Sequence, residues 1–142
     1  MLDLPVEESA ESREVLARHG LDTIFLLSPT TTDARIRRAA ELGSGFLYGI
    51  SRLGVTGARD RVATGAEEMV RRIRRQTELP IAVGFGISRP DHVAEVCAYA
   101  DAAVVGSALV ALIGEAGASP RLIDQVEDYV RALKSACTAP RA

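Results

Sequence analysis

Gly84-Phe85-Gly86-Ile87-Ser88 and, about twenty residues on, Val104-Val105-Gly106-Ser107 are the stretches whose reading decides the fold. Each closes a short apolar run, Pro80-Ile81-Ala82-Val83-Gly84-Phe85 in the first case and Ala102-Ala103-Val104-Val105 in the second. Runs of this length bounded by glycine read as buried strands, and each leads here into a helix-forming segment. Where a strand gives way to a helix, unpaired backbone N–H groups and the positive end of the helix dipole can together hold an oxyanion such as phosphate. Glycine at a strand end also relieves crowding, and for either turn alone that reading stands beside the first. The pair at one repeat's spacing, followed by Ser107, favours phosphate.

Working outward, the same alternation of apolar run and amphipathic segment recurs. Residues 6–18 read as a helix with Val15 and Leu16 on its apolar side, Glu7 and Glu8 in its first turn and Gly20 as a left-handed stop. Thr23-Ile24-Phe25-Leu26-Leu27 follows as a strand. Thr32 caps a helix through Ile36, Ala39, Ala40 and Leu42 to a second terminal glycine, Gly43, and Phe46-Leu47-Tyr48-Gly49-Ile50 is the next strand. Residues 66–76 form a helix with Met69, Val70 and Ile73 inward and Arg71, Arg72, Arg74 and Arg75 on a solvated face. Ser88-Arg89-Pro90-Asp91 opens another, with a capping hydroxyl and a first-turn proline. Val93, Val96, Cys97 and Ala100 lie on its buried side, and His92 is expected in solvent. After a short helical stretch over 108–113, a last helix opens at Ser119-Pro120 and buries Leu122, Val126, Tyr129, Val130 and Leu133. The expectation is an α/β fold of about four βα units with parallel strands, one domain over 1–142 with residues 135–142 a frayed tail.

Composition narrows the function classes. Of 142 residues, 47% are hydrophobic and 25% charged, which is enough for a buried core. A net charge of −2, three Phe, three Tyr and no Trp supply neither the basic surface nor the stacking platform of a nucleic-acid binder. No apolar run approaches the length of a membrane span, and the first residues resemble no signal peptide, so a cytoplasmic protein is expected. Two cysteines, Cys97 and Cys137, give no disulfide framework and no metal-ligand spacing, and both read as free thiols.

The connection Ser51-Arg52-Leu53-Gly54-Val55-Thr56-Gly57-Ala58-Arg59 is long, glycine-punctuated and placed after a strand, as a mobile lid or an ordinary solvated loop would be. With it, Asp3-Leu4-Pro5-Val6-Glu7-Glu8-Ser9, Phe46-Leu47-Tyr48, Gly84-Phe85-Gly86-Ile87-Ser88 and Gly106-Ser107-Ala108 resemble, in order and nearly in spacing, the tryptophan synthase alpha chain. The S-R-x-G-V-T-G loop is the most specific of these motifs. The resemblance implies half of a TIM (β/α)8 barrel, with the paired phosphate grip that follows its last two strands.

It further implies a lyase of tryptophan biosynthesis, which cleaves indole-3-glycerol phosphate to indole and glyceraldehyde 3-phosphate and passes indole to a pyridoxal-phosphate-dependent beta chain. Gly57, Gly86, Gly106 and Ser107 would be phosphate contacts, and Leu26 and Phe85 walls of the indole pocket. Tyr48 would be the active-site tyrosine, and Thr56 the lid residue that orients a catalytic aspartate. No cofactor or metal is implied for this chain itself.

The same resemblance begins partway through the family. A whole barrel has eight strands in roughly 250 residues, and Met1-Leu2-Asp3-Leu4 reads as the end of a preceding strand. The family's catalytic glutamate and aspartate have no counterpart at a matching motif; Asp3, Glu7, Glu8 and Asp60 are not recruited to those roles. The chain is therefore expected to be inactive alone and, with two open sheet edges, to associate with a second copy or with an N-terminal half-barrel. A noncatalytic phosphate-binding module and another phosphate-binding barrel enzyme are the alternative readings.

Overall fold

The structure is a computed structural model that describes residues 4–50 and 65–137. Four strands, β1 (Leu26–Leu27), β2 (Leu47–Ile50), β3 (Ile81–Gly84) and β4 (Ala102–Val104), form a parallel sheet in the order β1-β2-β3-β4. Among the described residues, six α-helices accompany them: α1 (Ala10–Arg18), α2 (Asp33–Leu42), α3 (Gly65–Arg74), α4 (Pro90–Cys97), α5 (Ser107–Ala116) and α6 (Leu122–Ser135). This is the expected run of βα units, each strand beside its neighbour in sequence. The lid segment, with Thr56 and Gly57, and the first three residues lie outside the described residues.

Register divides the sheet into two faces. Leu26, Tyr48, Ala82 and Ala102 are aligned partners in one row, and Leu27, Gly49, Val83 and Ala103 form the next. Successive rows point to opposite faces. The second row, with Leu47 and Ile81, packs beneath the helices against Ile36, Ala39, Met69, Ile73 and Val96, all fully buried. A Cβ on Gly49 would lie 2.7 Å from Met69 Cε, so the methionine tip packs directly on the bare glycine. The first row points away from that helical layer, and Leu26 and Ala102 are exposed on it.

Several local expectations change. The first helix is interrupted: a 3-10 turn, Val6–Glu8, precedes α1, and the wholly buried Ser9 donates its hydroxyl to Val6 O at 2.7 Å. That bond satisfies a carbonyl which a continuous helix would have used, and α1 buries no residue; Val15 is 46% exposed. Gly20 is left-handed as expected (φ 67°), but Gly43 is extended (φ −76°). Gly43 is required for a different reason, since a Cβ would meet Ala39 O at 2.7 Å. Thr32 caps α2, accepting from Arg35 N at 3.4 Å. β1 is shorter than the five-residue run because it is paired on one side only, to β2. In α6, Leu133 is buried and Tyr129 packs on the core, but Val130 is exposed because its place on the helix turns it off the α4 contact.

The arginines of α3 are not a uniformly solvated face. Arg72 donates to Asp33 Oδ1 from Nε (2.8 Å) and Nη2 (2.6 Å), to Thr31 O (2.6 Å) and to Pro29 O (3.1 Å). It thereby ties α3 to the turn before α2. Arg74 donates to Asp101, whose Oδ2 also accepts from Ile81 N at 2.8 Å at the start of β3. Arg71 pairs on the surface with Glu67 at 2.5 Å.

Candidate functional site

The carboxyl ends of β2, β3 and β4 gather most of the described candidate residues. Tyr48 stands one strand from Ala82, and its ring runs over Gly84: a Cβ on Gly84 would lie 2.0 Å from the Tyr48 hydroxyl and 2.7 Å from Cζ. Gly84 is thus a seat for the tyrosine, and the hydroxyl is brought to the very residue at which the β3 turn begins. Burial raises the Tyr48 pKa above the usual phenol value, so the group is a neutral hydrogen-bonding hydroxyl at neutral pH.

Beyond Gly84 the backbone makes a sharp reversal. Phe85 has φ 101° and Gly86 φ 81°. A left-handed conformation costs a bulky residue about 1–3 kcal/mol and persists only where the surroundings impose it. Phe85 is 62% exposed, so its ring projects from the turn, whereas Ile87 is buried and anchors it. The turn is also held from outside: Tyr129 of α6 donates its hydroxyl to Ser88 O at 2.8 Å. Tyr129 looked in the sequence like one more apolar stripe residue; its phenol, at the packed end of that stripe, was the available signal.

The fourth strand delivers the second turn. Val104 is the register partner of Gly84, and two residues later Gly106 becomes the N-cap of α5, with Ser107 its first residue. The first amides of a helix have no intrahelical acceptor, and the first turn of α5 carries no acidic side chain to occupy them. Gly106 and Ser107 are exposed, and nothing lies within 4 Å of where a Gly106 Cβ would be. Leu26 joins from the other side as the register partner of Tyr48, exposed on the same face. Leu26, Tyr48, Phe85, Gly86, Gly106 and Ser107 thus lie on adjoining strands or the turns directly after them.

Two expectations about nearby polar residues fail. Ser88 does not cap α4; Arg89 is the N-cap, in extended conformation and without a side-chain cap bond. Arg89 pairs instead with Asp91 at 2.8 Å, and this hydrogen bond, with the guanidinium charge, lowers the Asp91 pKa to about 2. His92 is buried, 6% exposed, with neither ring nitrogen hydrogen-bonded. Its position in the first turn of α4 turns it toward the interior rather than to solvent.

A groove of about 1070 Å³ opens elsewhere, between the N-terminal segment and β1. Leu4, Val6, Leu16, Phe25, Leu26 and Ile50 are among its lining residues. It marks the unpaired side of β1, not the glycine turns. Among the described residues no three His, Cys, Asp or Glu side chains are grouped to hold a metal, and no helix is long and apolar enough to cross a membrane.

Parallel strands in chain order, helices layered on one face and glycine turns at the carboxyl ends define four units of a (β/α)8-type α/β protein. The family model described as tryptophan synthase alpha chain matches residues 1–141. The chain belongs to the tryptophan synthase alpha chain family, as its motifs suggested, which leaves no room for an unrelated phosphate-binding barrel. It is 47% identical to the tryptophan synthase alpha chain of Chloroflexus aggregans over 134 residues, 94% of this chain and 50% of that one. With that of Methanosarcina mazei it shares 50% identity over 94% of its length and 48% of the relative's.

Among solved structures, the tryptophan synthase a2b2 complex from Pyrococcus furiosus matches with TM-score 0.84 and 36% identity, covering 95% of this chain and 54% of that one. Tryptophan synthase subunit alpha from Legionella pneumophila matches with TM-score 0.80 and 30% identity, covering 96% and 50%. The chain spans about half the length of the relatives it matches.

Proposed function

We propose that this chain supplies the phosphate-holding half of the indole-3-glycerol phosphate lyase of tryptophan biosynthesis. The observation that carries the reading is the Tyr48 hydroxyl seated on Gly84, at the root of one glycine turn and one strand from the other. The amides at Gly86, Gly106 and Ser107 would hold the phosphate dianion, aided by the dipole of α5. Phe85 and Leu26 would flank the indole ring, with Tyr48 beneath it. Thr56 and Gly57 enter by family resemblance, as lid hydroxyl and phosphate contact.

Cleavage requires a proton delivered to indole C3 and protons removed from the indole nitrogen and the glycerol hydroxyl, and each transfer needs a positioned acid or base. Phosphate binding and ring stacking position the substrate but move no proton. No carboxylate of this chain occupies a matching catalytic motif, so the chain binds without turning over until a complementary half-barrel provides the acid and base. A second copy or that N-terminal half would cover the inner sheet face and the open edges. The beta chain, with its pyridoxal phosphate, would be the acceptor of indole in the cytoplasm.

The test is titration with glycerol 3-phosphate followed by an indole-release assay. The expected result is saturable binding that Ser107→Asp weakens at least about tenfold by like-charge repulsion, no indole from the chain alone, and indole release once an N-terminal half from a relative is added. Absence of binding, or turnover by the chain alone, would overturn the proposal. Binding with no turnover in the complemented mixture would favour the noncatalytic module.

A further inference from the structure

Cys97, at the end of α4, and Cys137, just past the end of α6, stand 40 positions apart in sequence, yet their Sγ atoms are 3.5 Å apart. They are the two cysteines of the chain, and both are thiols here, Cys97 half-buried and Cys137 exposed. Two sulfurs at this separation are in contact. A disulfide bond is about 2.0 Å long, so about 1.5 Å of approach remains between the sulfurs.

From this contact we infer that Cys97 and Cys137 are a redox-sensitive dithiol that closes to an intramolecular disulfide, fastening the end of α6 to α4. The oxidant required is a low-molecular-weight disulfide of the glutathione type. The more accessible Cys137 thiolate attacks one sulfur of the oxidant, forming a mixed disulfide and expelling one thiolate. The Cys97 thiolate then attacks the Cys137 sulfur, forming the protein S–S bond and expelling the second. The two protein thiols give up two protons and two electrons; the oxidant's disulfide takes them up as two thiols.

The location gives the bond a consequence. α6 also carries Tyr129, whose hydroxyl holds Ser88 O in the turn after β3. The staple lies about two turns along the same helix from that contact. Oxidation therefore adds a covalent tie to the helix that braces the Phe85-Gly86 turn, and reduction leaves that helix held by its packing and hydrogen bonds.

The 142-residue chain is equilibrated in buffers of graded reduced and oxidised glutathione, acid-quenched, alkylated and weighed intact, in native buffer and in concentrated urea. The expected product is a monomer about 2 Da lighter than the dithiol and inert to alkylation. Its effective thiol concentration is expected to be at least about tenfold higher in native buffer than in urea, because only the folded chain holds the sulfurs in contact. The Cys97→Ser variant is expected to stop at the glutathione adduct on Cys137. A native-to-urea ratio below tenfold, or a native chain that accumulates only glutathione adducts or disulfide-linked dimers, would overturn the inference.

Discussion

Replacing Gly84 by alanine tests the seat on which the candidate site is built. The new methyl carbon would stand 2.0 Å from the Tyr48 hydroxyl oxygen, 2.7 Å from Cζ and 3.1 Å from Val104 Cβ. Neither of the first two contacts is tolerable, and the Tyr48 ring, rigid beyond its two side-chain torsions, has to swing as a whole to relieve them. Overpacking of this kind costs about 1–3 kcal/mol. The backbone adds nothing to that cost, because Gly84 is not among the left-handed glycines. At such a position Gly→Ala by itself stabilises by about 0.4–1 kcal/mol, through the unfolded chain. Removing the ring should therefore reverse the sign. Gly84→Ala is expected to be destabilising alone and neutral or stabilising in a Tyr48→Ala background, a coupling of about 1–4 kcal/mol. For 142 residues, 1 kcal/mol corresponds to about 3 °C in Tm, so the single variant should melt roughly 3–9 °C low. The assay is urea and thermal unfolding of the four proteins, followed by circular dichroism. An equal cost in both backgrounds would refute the reasoning, since it would mean that the ring does not occupy the space above Gly84.

Other outcomes follow from single contacts. Asp101→Ala removes the acceptor of both Arg74 and Ile81 N and should cost about 1–3 kcal/mol in urea unfolding, with Asp101→Asn recovering part of it because an acceptor oxygen remains. Tyr99 has a buried hydroxyl without a partner, and burial, then the charges of Glu95 and Glu67, push its pKa up to about 12. Tyr99→Phe should accordingly stabilise by about 1 kcal/mol. Because the folded pKa lies above the unfolded value near 10, wild-type stability is full below pH 10 and falls as pH rises toward 12, and the variant should flatten that alkaline loss. Asp91 should titrate in a carboxylate NMR experiment at about 2 instead of 3.8, and Arg89→Gln should move the midpoint up; an unchanged midpoint would mean that the guanidinium is not its partner. The sign is that of a depressed acid: the pair contributes above the unfolded pKa and is lost as pH falls through the folded one.

What the sequence made legible was what local pattern encodes. Strand identity came from the runs around Leu47 and Val83, helix faces from Met69, Val70 and Ile73, and the two turns from their glycines, because period and backbone permissiveness are properties of neighbouring residues. Partners brought in by the tertiary fold were not legible. Arg72 and Asp33 are 39 residues apart and Arg74 and Asp101 are 27 apart, so the arginines of α3 read as a solvated face. The direction of His92 failed for a related reason: in the first turn of a short helix, a shift of one residue decides between core and solvent. Gly43 was placed correctly for the wrong cause, since the obstacle is the oxygen of Ala39 and not a left-handed turn. At the candidate site, Tyr48 and Gly84 were each visible as residues, but their contact depends on a strand register that only the folded sheet fixes.

The strand order has a consequence for how the sheet forms. Because every strand lies beside its sequence neighbour, the intervening chain is similar for each pair: roughly twenty residues for β1·β2 and β3·β4, about thirty for β2·β3. The entropic difference in closing those loops is only about 0.4 kcal/mol. Burying a single Met or Ile side chain outweighs it several-fold, at about 1.5–3 kcal/mol. Leu47, Met69, Ile73, Ile81 and Val83 are all concentrated in β2, α3 and β3. The folding nucleus is therefore expected in this central unit despite its longer connection, with the flanking strands condensing onto it. Kinetic φ-values should be higher at Ile73 and Ile81 than at Leu27 and Ala103, and the opposite ranking would place the nucleus where the loops are shortest.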